Sequence, residues 1–152
     1  MSEKPSGRSR HVELNLDQLV ELQPGLGRLM PEIGRRYWIL YYAARGGNWE
    51  LAAYQVRQIV QLFRVGGTTR PKMARHLEAF RLGTLERLAA AVEEHDWPTF
   101  DSTYRQGIES ANRFHETNGH PEIRWRLPEE APKDLDLEAR ADETGPTRDE
   151  AT

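Results

Sequence analysis

Histidine and carboxylate side chains at the end of the last amphipathic segment are the residues of this chain best suited to metal chemistry. His115, Glu116 and His120 form the pattern H-E-x-x-x-H, which is one residue longer than the H-E-x-x-H spacing of zinc helices. Gly119 is expected to end the helix between the two histidines. The sequence also lacks the Glu-x-x-His pairs of di-iron bundles. We consider three interpretations of His115, of which a metal site is therefore the least favoured; the other two are given below.

Other catalytic patterns are missing from the sequence. The chain contains no cysteine, which excludes disulfides, thiolate catalysis, iron–sulfur clusters and covalent attachment of haem. Residues 66–69 lack the spacing of a phosphate-binding loop. No serine or threonine stands in a recognisable arrangement of nucleophile and base. We therefore predict that the protein is not an enzyme.

Four amphipathic segments, A to D, must position these side chains. In each segment apolar residues recur at spacings of three and four, as in helices that bury one face. In segment A the pattern crosses Pro31, for which we predict a kinked but continuous helix. Segment A ends at Gly46-Gly47, segment B is capped by Asn48 and ends at Gly66-Gly67, segment C begins near Pro71, and segment D is capped by Asp96 and ends at Asn118-Gly119.

Short connections between A and B and between C and D predict antiparallel neighbours. The sequence thus predicts an all-α fold, an antiparallel up-down-up-down four-helix bundle over residues 15–125. The inward stripes are predicted from these residues: Leu26, Met30, Ile33, Tyr37, Leu40 and Ala44 in A; Ala52, Val56, Ile59 and Phe63 in B; Leu77, Phe80, Thr84, Leu88 and Ala91 in C; Phe100, Tyr104, Ile108, Ala111 and His115 in D.

Both ends of the chain are predicted to be disordered. Residues 1–14 form a polar arm. Residues 126–152 form an extended arm that leads into an acidic tail: residues 129–152 hold nine acidic and three basic side chains, a net charge of −6, against −3 for the whole chain. Before that tail, Ile123, Trp125 and Leu127 alternate with basic residues, so this stretch is expected to lie extended against the bundle.

Charge and hydropathy exclude two classes of partner. A net charge of −3 without a strongly basic face does not predict a nucleic-acid binder. No apolar run approaches the roughly 20 residues that cross a bilayer, and the first ten residues lack the apolar region of a signal peptide. We predict a cytoplasmic protein without membrane association.

Two stretches of the chain resemble a known family. Residues 41–54, YYAARGGNWELAAY, and residues 96–100, DWPTF, resemble bacterial small-cytochrome-like proteins related to cytochrome c prime. The resemblance covers roughly residues 24–125. In that family the last helix ends in C-x-x-C-H, which attaches haem and ligates its iron. Those positions correspond here to Ala111, Phe114 and His115, so the resemblance implies a haem-less member that keeps the ligand position.

The resemblance leaves two further interpretations of His115. In the first, Phe114 fills the volume of the lost haem and His115 is a hydrogen-bonded residue at the edge of the core. In the second, the pocket holds haem b without covalent attachment, with His115 and Met30 as ligands, for electron transfer or gas sensing. We predict the first, a haem-free and non-enzymatic binding or interaction protein without a cofactor, and keep the second as the alternative.

Aromatic residues of segment A predict a surface for a partner. Trp38, Tyr41 and Tyr42 cannot all face one core, because neighbouring helical positions diverge by about 100°. Together with Trp125 they are predicted to form the interface of a homodimer. The arm of residues 123–137 is predicted to be open to a protein partner.

Overall fold

Six α-helices make up most of residues 5–139, the range that the computed structural model describes. This confirms the predicted helical class. Within that range no helix is both long and apolar enough to cross a membrane. The helices are α1 (Leu16–Glu21), α2 (Leu26–Arg45), α3 (Trp49–Thr69), α4 (Ala74–Phe80), α5 (Glu86–Glu93) and α6 (Trp97–Thr117).

Predicted segment C is one helical run with three kinds of turn. A 3-10 turn (Pro71–Met73) leads into α4, and a π-helical stretch (Arg81–Leu85) joins α4 to α5. The predicted start at Pro71 is confirmed. The π-helical stretch was not predicted, because no residue type marks it.

Side-chain caps fix the helix starts that the sequence predicts. The side chain of Asn48 accepts a hydrogen bond from the amide of Leu51, and that of Asp96 accepts one from the amide of Thr99. Each cap satisfies an amide that the first helical turn leaves without a partner. Gly119, just beyond α6, has φ of +84°, which confirms the predicted left-handed stop.

Of two predictions about where helices are interrupted, the structure confirms one and contradicts the other. Helix α2 runs through Pro31 without a break, so the continuous helix is confirmed. The predicted end of segment B at Gly66-Gly67 is wrong, because α3 continues to Thr69. A glycine inside a helix costs only about 1 kcal/mol relative to alanine. Since Gly66 is buried against neighbouring helices, packing outweighs that cost.

The core lies among α2, α3, α5, α6 and the π-helical stretch. Helix α2 packs along α3, and α5 packs along α6. The four residues of the inward stripe of α3 are all buried, which confirms that stripe. Phe100 and Tyr104 of α6 are buried, whereas Ile108, Ala111 and His115 are only partly so. The fully buried side chains at the centre include Leu40, Ile59, Leu85, Leu88, Phe100 and Tyr104.

The described ends of the chain are more ordered than predicted. Strands β1 (Ser6–Arg8) and β2 (Glu13–Asn15) pair antiparallel within the arm predicted to be disordered. The structure also departs from the predicted acidic disorder over residues 129–139, which lie along α2 and end in a bridge between Gly47 and Glu138. Residues 1–4 and 140–152, on which the same prediction falls, lie outside the described residues.

Candidate functional site

A cavity of about 900 Å³ lies where the start of α2 meets the ends of α3 and α6. Small-molecule sites in proteins span about 300–1,000 Å³, and most are lined by apolar side chains. The cavity's inner wall is buried and apolar. Its members come from α2, α3, α4 and α6: Ile33, Gly34, Ile59, Phe63, Leu77, Tyr104 and Gly107.

The two stripes predicted to face the core supply the sides of this cavity. Helix α2 contributes Met30 and Tyr37, and α6 contributes Ile108 and Ala111. These residues repeat every three or four positions, so they share one face of each helix. Along part of their length the two stripes pack in the core. Along the rest they border the cavity, which explains why residues such as Met30 and Ala111 are only partly buried.

Phe114 borders the cavity without closing it. Its ring meets the imidazole of His76 edge-on, with ring centroids 5.5 Å apart and planes at 65°. The cavity beside this ring retains about 900 Å³. Phe114 was predicted to fill the volume of the lost haem. It does not, because its ring packs towards α4.

His115 is a hydrogen-bonded residue at the edge of the core, as predicted. Its Nδ1 lies 3.1 Å from the carbonyl oxygen of Ile123, and the residue is partly buried at the cavity wall. A carbonyl oxygen only accepts, so Nδ1 is the donor in this contact, and Nε2 is the ring nitrogen not engaged by it. Met30 borders the same cavity. The two residues named for non-covalent haem thus line one pocket.

His120 does not complete a metal site with His115. Its Nδ1 lies 3.0 Å from a carboxylate oxygen of Glu122, and both side chains are largely exposed. Within residues 5–139 no group of three or more histidine, cysteine, aspartate or glutamate side chains is placed to hold a metal ion.

The outer wall of the cavity is the first part of the C-terminal arm, defined here as residues 123–139; the arm contributes Ile123, Trp125, Arg126 and Pro128. The indole of Trp125 lies directly on Gly34: a Cβ atom on that glycine would stand 1.6 Å from the ring. Asn112 of α6 holds the backbone of the same residue, because its Nδ2 donates to the Trp125 carbonyl (3.0 Å) and its Oδ1 accepts from the Trp125 amide (2.7 Å). The arm is therefore fixed to both α2 and α6.

Beyond Trp125 the arm covers aromatic residues that were predicted to face a partner. The Trp38 indole donates to the Glu130 carbonyl (3.0 Å), and the Tyr42 hydroxyl donates to the Pro128 carbonyl (2.7 Å). Arg35 pairs with Asp134 and holds the pKa of that carboxyl below its usual range.

Tyr41 is also not part of an open surface. It is only 4% exposed, and its hydroxyl donates to Asp101 at 3.0 Å. The predicted partner surface of Trp38, Tyr41, Tyr42 and Trp125 is thus corrected: one member is in the core and the other three are contacted by, or belong to, the arm. The sequence argument was right that these aromatics diverge around α2. It missed that the chain itself returns to cover them.

A second cavity, of about 950 Å³, lies at the opposite end of α2. Trp49 stacks on His95 beside it, with ring centroids 5.1 Å apart. Its lining is rich in carboxylates, since it includes Glu50, Glu93, Asp136 and Glu138. The two ends of the fold therefore offer cavities of opposite chemical character.

The arm is the part of the cavity wall that the sequence predicted only in part. The alternation of Ile123, Trp125 and Leu127 predicted contact with the helices. Residues 128–139 carry no such pattern, because their backbone carbonyls make the contacts: they accept from Trp38 and Tyr42 of α2 and from Asn48, which caps α3.

Comparison with known proteins identifies no relative of this chain. A scan against models of protein families, a search of curated proteins and a search of solved structures each find no match to this chain. The resemblance to cytochrome c prime therefore stays a prediction.

Proposed function

We propose that the protein is a non-enzymatic, cytoplasmic binding protein that holds an apolar small molecule in the cavity between α2 and α6. The helices would form an up-down-up-down bundle related to cytochrome c prime, with the ligand at the place where that family carries haem. The observation that carries the proposal is the 900 Å³ cavity with its apolar inner wall. Burial of apolar surface in such a site favours binding by about 25 cal/mol per Å².

The arm supports this assignment. An apolar ligand gains most when water is excluded from its whole surface. Trp125 and Pro128 line the cavity on its outer side, and Asn112 anchors that wall. A homodimer and a protein partner remain predictions, but the arm covers Trp38 and Tyr42 of the surface assigned to the homodimer.

The test uses N-phenyl-1-naphthylamine, an uncharged probe that fluoresces in apolar surroundings. We expect one molecule to bind per chain. Ala111→Trp places a large ring in the cavity and should abolish binding. Ala90→Trp adds the same ring on the exposed face of α5 and should leave binding intact. A wild-type protein that does not bind the probe would contradict the proposal.

Non-covalent haem is the second candidate, and one observation favours it. Nδ1 of His115 contacts the Ile123 carbonyl, so Nε2 would be the nitrogen that ligates iron, as in histidines oriented by a second partner. Both His115 and Met30 line the 900 Å³ cavity, and both residue types ligate haem iron. His115 and Met30 would hold the iron, and bound haem would supply redox or gas-binding chemistry.

Haem titration separates this candidate from a general apolar ligand. If haem is the ligand, a stoichiometric Soret band should form with the wild type and disappear with His115→Ala. Met30→Leu keeps the volume and should shift the band rather than remove it. Binding of the naphthylamine probe without any Soret band would leave the first proposal standing and end the second.

A further inference from the structure

The charges around the cavity point to the chemistry of its ligand, an inference that rests on the proposed function. All the ionisable side chains that line the cavity, apart from Tyr37 and Tyr104, are bases: Arg35, His76, His115, His120 and Arg126. Among the described residues no aspartate or glutamate lines it. The second cavity, with its four carboxylates, shows the opposite balance.

Most of these basic groups already have partners. Arg35 is paired with Asp134 and lies over the Trp38 ring, 5.2 Å from its centroid. His120 is bonded to Glu122.

Arg126 differs from Arg35 and His120. It borders the cavity, it is exposed, and no carboxylate within residues 5–139 pairs with it. It belongs to the same arm as Trp125, whose ring lies against Gly34 at the cavity wall. A guanidinium in this position is available to a carboxylate or phosphate at the mouth, for which its planar fork is well matched.

We propose that the ligand is an amphipathic acid, whose apolar body fills the cavity and whose anionic end pairs with Arg126 at the mouth. An apolar body satisfies the inner wall, which offers few polar partners. An anionic end avoids desolvation, because it remains at an exposed rim. Fatty acids and apolar carboxylates with rings both belong to this class.

The test compares two ligands with the same twelve-carbon chain, one with a charged and one with an uncharged head group. Dodecanoate and dodecanol, each below its aggregation limit, compete with bound N-phenyl-1-naphthylamine. We expect dodecanoate to bind the wild type about fivefold more tightly, as one exposed charge pair allows. The preference should shrink as salt is added. A second pair consists of 8-anilinonaphthalene-1-sulfonate and the uncharged naphthylamine, with the same expected order.

Two variants assign the preference to one side chain. Arg126→Gln should equalise the two affinities, whereas Arg124→Gln removes a neighbouring charge that does not line the cavity and should preserve the preference. If the naphthylamine binds but the acid is not preferred, or if both variants lose the preference equally, the inference fails and the apolar site stands. If the naphthylamine does not bind at all, the proposed function fails first.

Discussion

Tyr37 of α2 and Tyr104 of α6 hold each other by two reciprocal hydrogen bonds. The Tyr37 hydroxyl donates to the Tyr104 carbonyl (2.9 Å), and the Tyr104 hydroxyl donates to the Tyr37 carbonyl (2.7 Å). The rings stack between the two bonds, with centroids 4.0 Å apart and planes at 13°. Both residues line the cavity, so this pair fixes the separation of its two sides.

Tyr104→Phe should destabilise the fold by about 1 kcal/mol, the usual net value of one hydrogen bond. The loss is modest because the Tyr37 carbonyl lies within α2, where it can still bond the amide one turn further on. Urea unfolding monitored by circular dichroism measures it. Tyr54→Phe, on an exposed ring, is the control and should change nothing. Equal stability of the wild type and Tyr104→Phe would show that the reciprocal pair contributes little.

Alkaline pH should weaken the fold through the same pair. Burial raises the pKa of Tyr37 and of Tyr104, so the folded state keeps both phenols neutral. Unfolded tyrosine ionises near pH 10. The stabilisation is therefore complete below that pH and declines as pH rises above it, by about 1.4 kcal/mol per pH unit for each tyrosine.

The measurement is the free energy of unfolding between pH 8 and about pH 11, where the tyrosines begin to titrate. Tyr37→Phe removes one of the two groups and should show a shallower decline than the wild type. Identical slopes would mean that Tyr37 ionises as readily in the folded protein as in the unfolded chain.

Gly34→Ala should detach the arm from α2. The new Cβ would overlap the Trp125 ring, and overpacking of this kind costs about 1–3 kcal/mol. Limited proteolysis should then cut within residues 123–139 faster than in the wild type. Gly83→Ala meets no atom within 4 Å and should leave the cleavage rate unchanged. If both variants behave alike, Trp125 does not depend on that glycine.

Asn112→Leu should loosen the arm from the α6 side. The substitution leaves the Trp125 amide and carbonyl without their partner, so hydrogen exchange at that amide should accelerate. Asn112→Asp retains the acceptor oxygen and should preserve most of the protection. Unchanged exchange in Asn112→Leu would show that Trp125 is held by ring packing alone.

Local signals in the sequence predicted most of the helices. The caps at Asn48 and Asp96, the stripe from Ala52 to Phe63 and the stop at Gly119 depend on residues within one or two turns of each other. The end of α3 was predicted wrongly at Gly66-Gly67, because glycine often ends a helix. The packing of Gly66, which keeps the helix continuous to Thr69, is seen only in the tertiary structure.

The candidate site was predicted less completely. The sequence placed Met30, Phe114 and His115 at one end of the fold, but the volume between them depends on the direction of the Phe114 ring. The docking of the arm depends on contacts between residues far apart in the sequence, such as Trp38 with Glu130 (92 positions) and Arg35 with Asp134 (99 positions). No periodic pattern in the sequence predicts such contacts.

This separation along the chain has a consequence for how the protein folds. Chain closure over long distances is slow relative to the formation of local turns. We therefore expect the helices to assemble while the aromatic face of α2 is still bare, and residues 123–139 to cover it last. During synthesis we expect that face to stay exposed until residues 123–139 have emerged. Substitutions in the arm should accordingly alter the last step of maturation and leave early helix assembly unchanged.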